Sequence, residues 1–117
     1  MLAQKNRFHG HASLKYVYRN GLVSRSRFFI VRATVNTRRK APRCSVVVSK
    51  KVLKSAVGRN RIRRRVYHIL HEQLVTFNGS QDVVVGVCLS EVAFMDHIEL
   101  KKQLTQQLKE VSAIATK

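Results

Sequence analysis

Ser49-Lys50-Lys51-Val52-Leu53-Lys54-Ser55-Ala56-Val57-Gly58-Arg59-Asn60-Arg61-Ile62-Arg63-Arg64-Arg65 holds eight basic residues and no acid. Upstream of it lies an alternating strand pattern, Arg43 to Ser49, with Cys44, Val46 and Val48 on one face. Downstream lies a helical pattern. Ile62, Val66, Ile69, Leu70, Gln73 and Phe77 fall in one stripe at about 100° per residue. The quoted stretch is therefore a strand running into a helix, which starts near Ser55 or Arg59 and runs to about Phe77. At such a junction the positive end of the helix dipole points the same way as Lys50, Lys51 and Lys54. First-turn N–H groups can grip phosphate oxygens, and arginines add forked donors. Arg61, Arg64, Arg65 and His68 fall away from the apolar stripe, Arg63 borders it, and Arg59 sits in the first turn. Like charges crowded on one element are costly unless a counter-charge is present, so the segment reads as a polyanion-binding element rather than a merely solvated face.

Working outward, the N-terminal side offers a helix from about His11 to Asn20, with Leu14, Val17 and Tyr18 at helical spacing and Asn20-Gly21 as its stop. Phe28 to Val35 follows as an apolar, β-branched strand. Phe29, Val31, Ala33 and Val35 share one face of it, and Phe28, Ile30, Arg32 and Thr34 the other. Asn36 to Pro42 reads as a polar, basic loop of hairpin length. On the C-terminal side, Asn78-Gly79 closes the basic helix. Asp82 to Leu89 is so apolar that both of its faces are expected to be buried. The last helix opens with Asp96 as N-cap and Glu99 in the capping-box position, with Phe94 and Met95 placed to staple it. Leu100, Leu104, Leu108, Val111 and Ala115 make its stripe. The fold class expected is α+β: helices packed on one small sheet, in a single domain over residues 1–117.

The chain has 23 Lys and Arg against 6 Asp and Glu, a formal net charge of +17, and 44% hydrophobic residues. That combination describes a folded body with a strong need for an anionic partner. Binding a nucleic acid also releases condensed counterions. Glu72 is the first acid in the chain, so the surplus charge lies in the N-terminal and central segments. No apolar run approaches the roughly 18 residues that span a bilayer, and Met1 to His11 has no apolar core like that of a signal peptide. The expected location is the cytoplasm. Cys44 and Cys88 are too few and too far apart for a metal knuckle or a redox pair, and are expected to be small buried hydrophobes.

Ser49-Lys50-Lys51 followed by Ala56-Val57-x-Arg59-Asn60-Arg61-Ile62-x-Arg64 resembles the signature of the bacterial ribonuclease P protein component. Arg7, Val17-Tyr18-Arg19-x-Gly21, Arg27-x-Phe29 and Arg43 resemble that family in order and spacing, so the likeness covers about residues 5–110. It implies an α-β-β-β-α-β-α order with a left-handed βαβ crossover and a further short strand near Leu22 to Ser24. It also implies a protein subunit of an endoribonuclease that removes the 5′ leader of precursor tRNA. Catalysis would lie in the RNA subunit, which would hold most of the Mg2+, with no catalytic residue in the protein; the sequence singles out no metal ligand in the protein itself. By position, Lys50, Lys51, Lys54, Arg59, Asn60, Arg61, Arg63, Arg64 and Arg65 would bind the RNA subunit. Leu14, Tyr18, Phe28, Ile30 and Arg32 would line a cleft for the precursor-tRNA leader, where aromatic faces stack on unpaired bases. The partners implied are the ribonuclease P RNA and precursor tRNA, with no membrane and no obligate protein partner.

The chain departs from the family pattern in places. Leu14 and Arg32 stand where aromatics are common, His68 stands where a further arginine is usual, and Cys88 and Leu89 replace a basic pair. Arginine can still stack on a base. Other readings weigh less. A protein nuclease needs a positioned acid–base pair, and none is marked among His9, His11, His68, His71 and His97. Glu91, Asp96 and Glu99 read as caps and loop charges rather than a two-metal site. A structural protein of the ribosome would share the charge and layout but not the Arg59-Asn60-Arg61 setting. A helix-turn-helix DNA binder needs two helices joined by a tight turn, whereas here a strand feeds the basic helix.

Overall fold

Four strands form one mixed sheet in the order β1-β2-β4-β3. They are β1 (Leu22–Arg25), β2 (Phe29–Val35), β3 (Arg43–Val47) and β4 (Gln81–Val87), accompanied by helices α1 (His11–Asn20), α2 (Ala56–Gln73) and α3 (His97–Glu110). The structure, a computed structural model, describes residues 11–35, 42–73, 76–77 and 80–111. Expectations for Arg7, the loop after Val35, Asn78-Gly79 and Ala115 fall outside these residues.

β1 and β2 form an antiparallel hairpin, β2 pairs antiparallel with β4, and β3 joins β4 in parallel through α2. The order α-β-β-β-α-β-α holds. Phe29, Val31 and Ala33 point to a core built with Cys44, Val46, Val48, Val83, Val85 and Val87 and closed by Ile62, Val66, Ile69 and Leu70 of α2 and Leu100, Leu104 and Leu108 of α3. β4 is buried on both faces, as its apolar run requires. On the opposite face, α1 seals Val84 beneath Val17, with Leu14 and Val47 packed against them. Each fully buried Ile or Leu of α2 contributes about 1.5–3 kcal/mol. An exposed like-charge pair on a helix costs only a few tenths, so four buried anchors hold this basic helix in place.

Local chemistry sets the element ends. Gly21 N–H donates to Val17 O at 2.8 Å and ends α1. A Cβ there would meet Val17 O at 2.7 Å and Ala33 O at 3.0 Å, so glycine lets α1 press on β2. Ser55 Oγ accepts from Gly58 N–H at 3.1 Å and starts α2. Among the described residues the helix runs to Gln73, and Thr76 and Phe77 lie beyond it outside the α-helix, with Thr76 Oγ1 donating to Gln73 O at 2.6 Å. Phe77 still packs on the core. β3 stops at Val47 and β4 at Val87, short of the expected Ser49 and Leu89. Asp96 caps α3, its Oδ2 accepting from Ile98 and Glu99 N–H at 3.2 and 3.3 Å. Glu99 does not complete a reciprocal box; its Oε1 accepts instead from Gln103 at 3.1 Å. Phe94 does not staple the helix, being 79% exposed at the end of a short 3-10 turn, Ser90–Ala93, whereas Met95 packs inward.

Two buried polar arrangements fix the sheet. Arg43 Nε and Nη2 donate to Asp82 Oδ1 and Oδ2 at 3.0 and 2.8 Å, across the parallel β3–β4 register. Gln107 of α3 donates to Ser24 O at 3.1 Å and Phe29 O at 3.0 Å and accepts from Ser26 Oγ at 2.9 Å, pinning the β1–β2 turn. Cys44 and Cys88 are free thiols, one buried and one half-buried. Burial, with the charge of Asp82 adding, pushes the Cys44 thiol far up, so it stays protonated.

Candidate nucleic-acid interface

The strand-to-helix junction lies on the surface. Lys50, Lys51 and Lys54 are exposed, on a tight turn in which Val52 and Leu53 N–H donate to Ser49 O at 3.1 and 3.3 Å. The first turn of α2 carries no acidic residue. Along its outer side Val57, Asn60, Arg61, Arg64 and His68 are all exposed, at the 3-to-4-residue spacing that lines one helix face. Among the described residues, no ion pair takes a cation of 50–65 to a carboxylate. The patch is therefore an uncompensated positive field at a helix N-terminus, suited to phosphate oxygens.

The structure divides the expected RNA-contacting arginines into two kinds. Arg59 folds back and donates to Leu53 O at 2.9 Å and Lys54 O at 2.8 Å, so it shapes the lysine turn from inside. Arg65 is half-buried and donates to Val92 O at 2.7 Å and to Met95 O, holding the 3-10 turn to α2. Arg63 donates to Asn60 Oδ1 at 2.8 Å. Arg61 lies over the exposed ring of Phe94, 5.2 Å from its centroid, and Arg64 is open to solvent. Phe94 stands in the apolar run Val92-Ala93-Phe94-Met95, so nothing local in the sequence marks it as part of this surface.

Four of the second expected set, Leu14, Tyr18, Ile30 and Arg32, lie on the other side of the sheet. Tyr18 is half-exposed on α1 and Arg32 projects from β2 to meet it, guanidinium carbon 4.7 Å from the ring centroid. Ile30, half-buried, lies on the same face as Arg32, and Arg25 is its partner across the β1–β2 register. Leu14 sits lower, against Val17 and Val84. Phe28 is apart from the rest: it packs on the main core, with Arg27 over its ring at 5.7 Å. The register Val47–Gly86–Ile30 puts the exit of β3 level with the start of β2. Two strand spacings, roughly 10 Å, separate them. Ile30 and Arg25 are therefore level with the start of the lysine turn, whereas the Tyr18–Arg32 contact lies at the middle of β2.

Beside Arg64 and Arg65, a groove of about 380 Å³ is also lined by His68 and His97. Donor atoms of His68, Glu72 and His97 lie within 4.8 Å of one another there. His68 and Glu72 were open to inspection as neighbours on one helix, but His97 reaches them only through the packing of α3.

A family model described as Ribonuclease P matches residues 2–112. Among solved structures, the RNase P protein of Staphylococcus aureus superposes with a TM-score of 0.81 at 23% identity, covering 93% of this chain and 97% of that one. The RNase P protein of Thermotoga maritima superposes with a TM-score of 0.79 at 23% identity, covering 90% and 96%. No curated protein sequence matches.

Proposed function

The chain belongs to the ribonuclease P protein family, and from that membership we propose that it binds the catalytic RNA of ribonuclease P and the 5′ leader of precursor tRNA, assisting tRNA 5′ maturation in the bacterial cytoplasm. The observation that carries this reading is the exposed row Lys50, Lys51, Lys54, Arg61 and Arg64, paired with no carboxylate among the described residues, together with the open Tyr18–Arg32 contact on the other face of the sheet. The row takes the folded RNA through its phosphates, aided by the N–H groups at the start of α2. The cleft takes an extended single strand: Tyr18 offers a face to a base, Arg32 a second planar surface and a charge, and Arg25 a phosphate contact at the rim.

Bond cleavage is assigned to the RNA subunit, which also holds the Mg2+. That ion prefers oxygen ligands, and the one three-residue donor cluster among the described residues contains two imidazoles, so it does not match. Membranes play no part in this proposal; no described helix is long and apolar enough to cross one.

The test is reconstitution with a ribonuclease P RNA that cleaves precursor tRNA unaided only at high magnesium. Adding the protein should restore cleavage at low magnesium. Absence of rescue, or recovery of ribosomal RNA in place of ribonuclease P RNA on pull-down, would overturn the reading.

A further inference from the structure

α2 carries a cluster of side chains apart from the cationic row Lys50, Lys51, Lys54, Arg61 and Arg64. His68 and Glu72 are four residues apart and stand on one face of the helix. His97, the first residue of α3, comes up against both. The two imidazole centroids are 5.8 Å apart, the rings tilted at 51°. His97 Nε2 is 3.9 Å from Glu72 Oε1. One donor atom from each of the three residues falls within 4.8 Å of the other two, and all three side chains are exposed.

We propose that His68, Glu72 and His97 form a binding site for one zinc-class divalent transition-metal ion, with solvent in the fourth position. Bonds of about 2.0–2.2 Å in tetrahedral array put neighbouring donors roughly 3.4 Å apart. The set must contract by little more than 1 Å, roughly what a rotation of an exposed side chain supplies. Two imidazoles and one carboxylate select Zn2+, Co2+, Ni2+ or Cu2+ over Mg2+ or Ca2+, whose ligands are oxygens. The fourth position faces the groove beside Arg64 and Arg65.

The surroundings oppose a cation in part. Lys101 Nζ lies 3.7 Å from Glu72 Oε1, its side chain 41% exposed. Its ammonium sits on a flexible stem and can swing into water when the ion takes the carboxylate. The nearby positive charge makes the ion weaker-bound than in a neutral setting, without changing the donor set. A bound ion would tie α2 to α3 beside the turn that Arg65 already holds, and so stabilise the fold in proportion to its occupancy.

The experiment uses the full chain, titrated with Zn2+ by calorimetry and with Co2+ by visible absorption. One ion per chain is expected, with a Co2+ ligand-field band that Zn2+ displaces and a rise in thermal midpoint with Zn2+. Losing a ligand should weaken binding at least about tenfold, since even outer-shell changes cost 10–100-fold. His68→Ala, His97→Ala and Glu72→Gln should each do so while keeping the far-ultraviolet dichroism of the parent. His71→Ala, an exposed α2 histidine outside the cluster, should bind as the parent does. Absence of Zn2+ binding, or undiminished binding in the His68→Ala/His97→Ala double variant, overturns the proposal.

Discussion

The guanidinium of Arg32 lies over Tyr18 with its central carbon 4.7 Å from the ring centroid, joining the first helix to the second strand across an open face. An exposed cation–π contact of this kind is worth roughly 0.5–1 kcal/mol, little for the fold. Its larger use is as a ready-made surface for a flat, charged ligand. Tyr18→Ala should weaken precursor-tRNA binding by about 1–3 kcal/mol per base unstacked, roughly 5–150-fold, and leave mature-tRNA binding as it is. Tyr18→Phe should behave as the parent. Equal losses for both tRNAs would remove the leader from this cleft.

Arg61 and Arg64 face solvent on α2 with no carboxylate paired to them among the described residues. Replacing both with Ala should weaken binding of the RNA subunit. The slope of log affinity against log salt should fall by about 1 for each phosphate that is no longer neutralised. Equilibrium binding at several salt concentrations gives both quantities.

Arg65 should behave differently from its neighbour. Its guanidinium satisfies Val92 O and Met95 O from a half-buried position. Arg65→Ala should cost about 1–3 kcal/mol of stability in urea denaturation, with little change in salt slope. Arg64→Ala should leave stability within about 0.5 kcal/mol of the parent.

Asp82 is nearly fully buried against Arg43, whose side chain keeps 11% exposure. Removing the carboxylate with Asp82→Ala takes the bidentate acceptor away from a largely buried guanidinium. The expected loss is about 3–5 kcal/mol, and denaturant unfolding should show it at low and high salt alike, since a buried pair is poorly screened.

Cys44 and Cys88 should separate cleanly by reactivity. The Cys44 thiol is buried and its ionisation is pushed up by desolvation, whereas Cys88 is half-buried. A thiol reagent should label Cys88 in the native protein and Cys44 only on unfolding. Because the folded state holds the Cys44 proton more tightly than the unfolded chain, its contribution to stability is full below the unfolded thiol's pKa of about 8.5 and declines as pH rises above it. Cys44→Ala should remove that alkaline component from the pH dependence of the denaturation midpoint.

Element types were legible because each had a strong local signal: the Ile62–Val66–Ile69–Leu70 stripe, the Asp96 cap, the Asn20-Gly21 stop and the Val83–Val87 run. What was not legible depends on tertiary neighbours. Arg59, Arg64 and Arg65 read alike in a row of basic residues, and only the positions of Leu53, Val92 and Met95 decide which two turn inward. Gln107 has no local signal that separates it from Gln103 and Gln106 on the same helix, yet it is buried because the β1–β2 turn offers it two carbonyls and a hydroxyl. Phe94 and His97 carried no periodic signal, and their surroundings come from how α3 approaches α2.

β3 enters the sheet only beside β4, with Arg43 opposite Asp82, 39 residues away along the chain. Ladders closed over such spans form late, since the ends must find each other before any contact rewards the search. A newly synthesised chain therefore presents its most basic segment while its final strand is still unpaired. For a polyanion that reaches that segment before β4 pairs, the speed of the encounter, as much as its strength, would bear on whether the protein ends up carrying it.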